Sequence, residues 1–287
     1  MASTDCWADW IRTRRSGCDP AVEAQLLEEL AIVRDRVLDN AGLASGKTLV
    51  DVGCGNGLIA FGALERGAGE VVFTDISEPL LDECRSLAEE AGVVDRCRFV
   101  TASADELGSI PDSSADVVTT RSVLIYVEDK ERAFREFHRV LRPGGRISLF
   151  EPINRFGMSE RRCTMGYDLA EAQELMQRVV DRYAELQPES DPMVDFDERD
   201  LLGLAERAGF FPITLDYRAS VERPEPRNWQ AFLRTSGNPK IPTFEEAMAA
   251  VLTEDERERL EAELRPAVEA GRGVWRMGTA YLWAVKP

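Results

Sequence analysis

The amino-acid sequence predicts an α/β protein built on a doubly wound, mostly parallel sheet. Three observations carry that prediction. Apolar runs of strand length alternate with amphipathic helical runs from about residue 47 to residue 151, the rhythm of β-α-β units. The short runs are apolar on both faces, as strands covered by helices on two sides must be. The first run leads straight into a glycine-rich bend, Gly53-Cys54-Gly55-Asn56-Gly57, which puts a ligand position beyond the carboxyl end of a strand.

Each element has its own signal. Trp7, Trp10 and Ile11 fall at helical spacing until Gly17-Cys18-Asp19-Pro20 breaks the pattern. Val22, Leu26, Leu27, Leu30, Val33, Val37 and Leu38 then form one stripe of a longer helix ending near Gly42. Residues 48–52 are the first strand, followed by a helix from about Leu58 to the stop at Gly67. Residues 71–74 are the second strand, closed by Asp75. Ser77 caps the next helix, where Leu80, Leu81, Cys84, Leu87 and Ala88 share a face and Gly92 is the stop. Strands at 98–100, 116–120 and 146–150 follow, the last two separated by a helix over about 130–141 that buries Ala133, Phe134, Phe137, Val140 and Leu141. Residues 213–217 and 278–285 resume the strand pattern. The reading that results is an N-terminal helical cap, residues 1–46, and a sheet domain, residues 47–287. Helical lid insertions interrupt the domain at about 152–210 and 222–276.

Composition narrows the function classes. The chain has 287 residues, 44% hydrophobic and 30% charged, with a formal net charge of −17. That is enough apolar material for a packed core. So acidic a chain has no broad basic face for nucleic-acid phosphates, so nucleic acid is not an expected partner. No apolar run approaches the roughly 18 residues of a bilayer span, and the start, Met1-Ala2-Ser3-Thr4-Asp5, lacks the basic and apolar segments of a secretory signal. The six cysteines form no C-x-x-C pair and no zinc spacing. They read as reduced, mostly buried thiols of a cytoplasmic protein, and no metal is expected. Of the 35 basic residues only Lys47, Lys130, Lys240 and Lys286 are lysine, an arginine skew that GC-rich bacterial codons produce.

The bend at 53–57 carries the functional signal. Its glycines let the backbone turn sharply and let a ligand approach without a Cβ clash, and the following helix aims free N–H groups at that point. Asp75 ends the next strand 22 residues after Gly53, where a carboxylate reaches two vicinal ribose hydroxyls. A dinucleotide site reads G-x-G-x-x-G, but the third position here is Leu58 and the glycines fall as G-x-G-x-G. Asp51, just before the loop, opposes a pyrophosphate and suits a cation. Ribose, adenine and a sulfonium or ammonium group together answer this layout.

With these residues the sequence resembles the class I S-adenosylmethionine-dependent methyltransferases. The resemblance rests on Val50-Asp51-Val52-Gly53-Cys54-Gly55-Asn56-Gly57, Thr74-Asp75-Ile76-Ser77, Ala115-Asp116-Val117-Val118 and Arg139-Val140-Leu141-Arg142-Pro143-Gly144-Gly145, in the family's order over residues 47–151. It implies the Rossmann-like methyltransferase fold, with the strands near 213 and 278 as the sixth and seventh of its sheet. It implies S-adenosyl-L-methionine as cofactor and S-adenosyl-L-homocysteine as product. By the same resemblance Gly53, Gly55 and Gly57 hold the methionine end, Asp51 lies beside it, Asp75 binds the ribose, and Ile76 packs on the adenine. The backbone near Arg121 receives the amino group. Where many relatives read G-D-A after the third strand, this chain reads Ala102-Ser103-Ala104 with Asp105 and Glu106 beyond. Either Ser103 or Asp105 serves the adenine there, beside Ala104.

The methyl acceptor is expected beyond the fourth and fifth strands, near Arg121, Ser122, Leu124, Tyr126, Glu151, Asn154 and Arg155. Tyr167, Trp229 and Arg276 of the lids, with Trp7 and Trp10, are candidates to line it, although aromatics more often pack cores. His138, the single histidine, reads as structural. Tyr126 or Glu151 is then the candidate base, and Arg155 the cation that holds an acceptor carboxylate, which needs no base. The expected reaction is methyl transfer, at oxygen, to a specialised small molecule or peptide in natural-product biosynthesis, by a monomer or homodimer. The alternatives are N- or C-methylation, a non-catalytic S-adenosylmethionine-binding regulator, and a nicotinamide-dependent oxidoreductase, which Leu58 disfavours.

Overall fold

A computed structural model describes residues 5–161, 166, 167 and 169–287; Met1 to Thr4 of the expected leaderless start, and Cys163, lie outside the described residues. The helices are α1 Cys6–Asp9, α2 Pro20–Ala41, α3 Leu58–Glu65, α4 Glu78–Glu90, α5 Lys130–Val140, α6 Asn154–Arg161, α7 Gln173–Leu186, α8 Glu198–Arg207, α9 Trp229–Arg234, α10 Phe244–Val251 and α11 Glu254–Glu269. The strands are β1 Thr48–Val52, β2 Glu70–Asp75, β3 Cys97–Thr101, β4 Ala115–Arg121, β5 Leu141–Pro152, β6 Ile213–Glu222 and β7 Trp275–Val285. The chain divides into two compact units. One holds residues 27–152, 196–218 and 279–287; the other holds 1–26, 153–195 and 219–278.

The strands form a seven-stranded sheet in the order β3-β2-β1-β4-β5-β7-β6, of which the first unit holds all but the end of β6 and the start of β7. β1 pairs in parallel with β2 and β4, β2 with β3, and β4 with β5. β7 runs antiparallel to β5, from Arg146↔Val285 to Pro152↔Thr279. Strand order therefore reverses between β1 and β4, and in such sheets ligands bind outside the carboxyl ends at that switch. The apolar runs become strands because both faces are covered: every residue of β1 from Leu49 to Val52 is buried, as is every residue of β2 from Val71 to Asp75. Phe73 is fully buried, stacked on Phe99 at 4.9 Å between ring centroids and meeting the edge of Phe61 at 5.2 Å. Ser77 caps α4 as expected, its hydroxyl accepting the Leu80 N–H.

The helical segments expected as cap and lids divide differently from the sequence reading. α2 changes unit at residues 26 and 27, and α8, placed inside the first insertion, belongs to the sheet unit, where it packs on α5. Its stripe of Leu201, Leu204 and Ala205 is buried. The second unit is built mainly on α7, α9, α10 and α11. Trp229 stacks on Phe232 at 5.6 Å, and Tyr167 and Phe244 meet the same ring at 5.7 and 4.9 Å. The Trp10 indole N–H donates to the Ser236 carbonyl (2.9 Å), and the Ser236 N–H donates to the Arg14 carbonyl (2.9 Å), tying the N-terminal segment to α9.

Among the described residues no helix is long and apolar enough to cross a membrane. The expectation of mostly buried thiols needs correction: among the described residues Cys54 and Cys84 are buried and Cys97 partly so, but Cys6, at the start of α1, and Cys18, in the turn before α2, are exposed.

Truncating Phe73 to alanine removes a ring with two aromatic partners from a site the sheet cannot collapse around. Phe73→Ala is expected to cost about 3–5 kcal/mol of unfolding free energy, read from the denaturant midpoint at unchanged slope.

Candidate functional site

The bend after β1 holds all three of its glycines in the left-handed region, with φ of +65° at Gly53, +55° at Gly55 and +81° at Gly57, which side-chain-bearing residues rarely adopt. Space enforces the same choice. A Cβ on Gly53 would fall 2.4 Å from Cγ2 of Val123, and one on Gly57 would fall 2.6 Å from the Phe61 ring. The Cys54 N–H donates to the Thr74 carbonyl (2.8 Å), stitching the bend to β2. The thiols of Cys54 and Cys84 both reach the Gly55 carbonyl, at 3.8 and 3.4 Å, and the neighbouring Cys84 thiol together with burial pushes the Cys54 thiol up from the ordinary thiol range.

Three buried carboxylates stand at the carboxyl ends of the strands. Asp75, at the end of β2, accepts the Gly55 N–H on Oδ2 (2.8 Å) and the Ser77 N–H on Oδ1 (2.9 Å). Asp51, on β1, accepts the Ala60 N–H on Oδ2 (3.2 Å) and the Thr119 hydroxyl on Oδ1 (2.8 Å). It thereby caps α3, whose N-cap residue is Gly57 and has no side chain to do so. Glu151, on β5, accepts the N–H groups of Val123 (3.0 Å) and Leu124 (3.1 Å) and the Thr120 hydroxyl (3.3 Å), all on Oε1.

Their surroundings set their charge. Burial pushes Asp51 up to about 7, opposed by the Thr119 hydroxyl, the Arg121 charge and the Ala60 amide. Burial likewise pushes Glu151 up to about 7 against the amides it accepts. Partly buried Arg121 has its own value lowered by desolvation, while the charges of Asp51 and Glu151 pull it back up.

The other expected residues fall as follows. Ile76 follows Asp75 with half its surface exposed. The alternatives at the end of β3 prove to be one unit, since the Ser103 hydroxyl donates to the Asp105 carboxylate; Ala104 beside them is buried. Tyr126 lies in the short turn Leu124–Tyr126 after β4, within electrostatic reach of Arg121. Glu151 and Tyr126 therefore gather as charge neighbours of Arg121 in the sheet unit; Arg155 is exposed on α6, in the second unit. Tyr167 and Trp229 are spent on that unit's core. His138 is partly buried with its ring edge-on to Phe210 at 5.1 Å. Its carbonyl accepts Lys286 Nζ (2.7 Å), and it sits at the amino end of β5, away from the carboxyl ends. The sequence reading missed Thr119, Thr120 and Val123. The signal for the threonines was two adjacent hydroxyls following the apolar Val117-Val118 pair of a strand flanked by carboxylate-bearing strands.

Comparison with known proteins places the fold among methyltransferases. Residues 50–149 match the family model of a methyltransferase domain. A ubiquinone/menaquinone biosynthesis C-methyltransferase, UbiE of Hahella chejuensis, is 37% identical over 116 residues, 40% of this chain and 46% of that protein. The chain thus spans about half the length of the curated relatives it matches. Among solved structures, geranyl diphosphate methyltransferase in complex with S-adenosylmethionine superposes with a TM-score of 0.55 at 18% identity, over 94% of this chain and 92% of that one. The [4+2]-cyclase SpnF gives 0.54 at 23%, over 90% and 80%. At such identities the likeness is one of fold, and a fold alone does not choose a chemistry.

Asp51 binds its proton more tightly folded than unfolded. Its contribution to stability is therefore full below the ordinary carboxylate range and is lost as pH rises from about 4 to about 7. In urea unfolding at pH 5 and pH 8, Asp51→Asn is expected to lose less stability on going to pH 8 than the wild type, by roughly 1–3 kcal/mol; parallel profiles would show that Asp51 is not the buried titrating group.

Proposed function

We propose, from the match of residues 50–149 to the model of a methyltransferase domain, that the chain is a class I S-adenosylmethionine-dependent methyltransferase that binds S-adenosyl-L-methionine at the β1/β4 switch and releases S-adenosyl-L-homocysteine. The observation that carries this reading is the left-handed glycine bend bonded to the buried Asp75 carboxylate through the Gly55 N–H. The residues present fit the cofactor. Asp75, whose carboxylate stands at the end of β2 and is bonded to the glycine bend through the Gly55 N–H, would take the ribose hydroxyls. The exposed face of Ile76 would cover the adenine, with the Ser103–Asp105 pair and Ala104 at its edge. Gly53, Gly55, Gly57 and the backbone at Arg121 would hold the methionine end, beside Asp51.

When bound, the cofactor supplies a methyl group activated by a sulfonium sulfur. The chain's own part is to hold the acceptor in line and to exclude water. We place the methyl on oxygen, a carboxylate or hydroxyl of a small molecule or peptide. In support, the single histidine is engaged at the far ends of the strands, and a carboxylate is already a nucleophile at neutral pH. Tyr126 remains the candidate base for a hydroxyl acceptor. The arginine skew over lysine supports a bacterial source; a cytoplasmic location and a specialised-metabolism acceptor complete the proposal. A second reading, C-methylation, is favoured by the match to a protein named as a C-methyltransferase.

Incubation with methyl-labelled S-adenosylmethionine and a panel of carboxylic acids, phenols and activated carbon acids separates these readings. Label released by mild base marks an ester, base-stable label marks carbon, nitrogen or phenol ether, and binding without transfer marks a regulator. Asp75→Ala is expected to weaken cofactor binding by about 2–3 kcal/mol in calorimetry; unchanged affinity removes Asp75 from the site.

A further inference from the structure

The turn after β4 is folded around an anion supplied by the chain itself. Ser122 is in the left-handed region (φ +56°), shared among the described side-chain-bearing residues only with Cys18 and Ser113. Val123 follows in the right-handed region (φ −110°, ψ −46°). Successive residues of opposite hand turn consecutive N–H groups to one side, forming a nest for an anion. Here the nest of Val123 and Leu124 closes on Oε1 of Glu151, while the Ser122 N–H is held by the Phe150 carbonyl (2.8 Å). Glu151 is 0% exposed, and its second oxygen, Oε2, has no hydrogen-bond partner. A buried carboxylate left half-satisfied opposes folding, and an apolar residue with an ordinary turn would connect the strands without that cost. What the carboxylate secures is the shape of the turn.

That shape reaches the glycine bend through one side chain. Val123, whose N–H Glu151 holds, lies against Gly53 so closely that no Cβ fits between them. Arg121 stands just before the turn with Glu151 and Asp51 as its charge neighbours. We propose that Glu151 is a positioning residue of the cofactor crevice. Its carboxylate holds residues 122–126 against the first glycine, and so sets the backbone at Arg121 and the glycine bend at the spacing the methionine end requires. It acts through Val123 and touches no cofactor. This inference rests on the reading of the crevice as a site for S-adenosylmethionine.

The test uses the full chain, with S-adenosylmethionine affinity by calorimetry and amide hydrogen exchange at residues 123 and 124 without ligand. Glu151→Gln keeps an acceptor for the nest and is expected to bind within about threefold of wild type. Glu151→Ala is expected to bind at least about tenfold more weakly, with faster exchange at both amides. Val123→Ala leaves Glu151 in place but loosens the contact with Gly53, and is expected to weaken binding severalfold; it serves also if Glu151→Ala does not fold. Wild-type affinity in Glu151→Ala or in Val123→Ala overturns the positioning role. So does a Gln variant as weak as the Ala variant, which would make Glu151 a direct charge partner of the cofactor. Failure of the wild type to bind is the separate outcome that overturns the reading of the crevice itself.

Discussion

Hydrogen bonds from loop amides to buried carboxylates hold the ligand-facing end of this sheet in shape. β1, β2 and β5 each carry one acidic side chain near the carboxyl end, and each accepts backbone N–H groups from the turn or helix beside it: Ala60 for Asp51, Gly55 and Ser77 for Asp75, Val123 and Leu124 for Glu151. Such charge-assisted bonds are stronger than neutral ones, and the strands that present them are among the best-packed parts of the molecule. The glycine bend and the β4 turn thereby borrow rigidity from the sheet although neither has regular structure of its own.

The same arrangement explains the electrostatics. Removing carboxylates from water disfavours their charged form, and the amides and hydroxyls around them only partly compensate. Arg121 is the cation closest to this balance, drawn up by Asp51 and Glu151 and down by its own burial. The crevice is thus bordered by fixed N–H groups and by two acids, Asp51 and Glu151, that burial pushes up to about 7.

How far the sequence foretold this depends on what each residue's signal encodes. The alternation of apolar runs located all seven strands, because burial on two faces leaves a direct mark in composition. The bend at 53–57 and Asp75 were legible because glycine and a strand-end carboxylate are needed there for backbone reasons. Glu151 and Asp51 were legible as acids near the crevice, but not the direction of their lone pairs: both turn toward backbone amides, and nothing in residue spacing distinguishes an acid facing a ligand from one facing a turn. Trp229 and Tyr167 were legible as apolar packing residues but not as to which core they serve, because an apolar pattern does not say what covers it. Both pack inside the second unit, around Phe232. Val123 went unnoticed because its importance lies in the missing side chain opposite.

The strand order has a further consequence for how the molecule is made. β7 sits between β5 and β6, so during synthesis β6 leaves the ribosome before the neighbour it will pair with exists. A strand waiting in that state presents an unsatisfied edge, and only residues 275–285 can close it. Biogenesis is therefore gated by the segment translated after both helical excursions, while the half of the sheet that carries the glycine bend has all its partners as soon as β5 emerges.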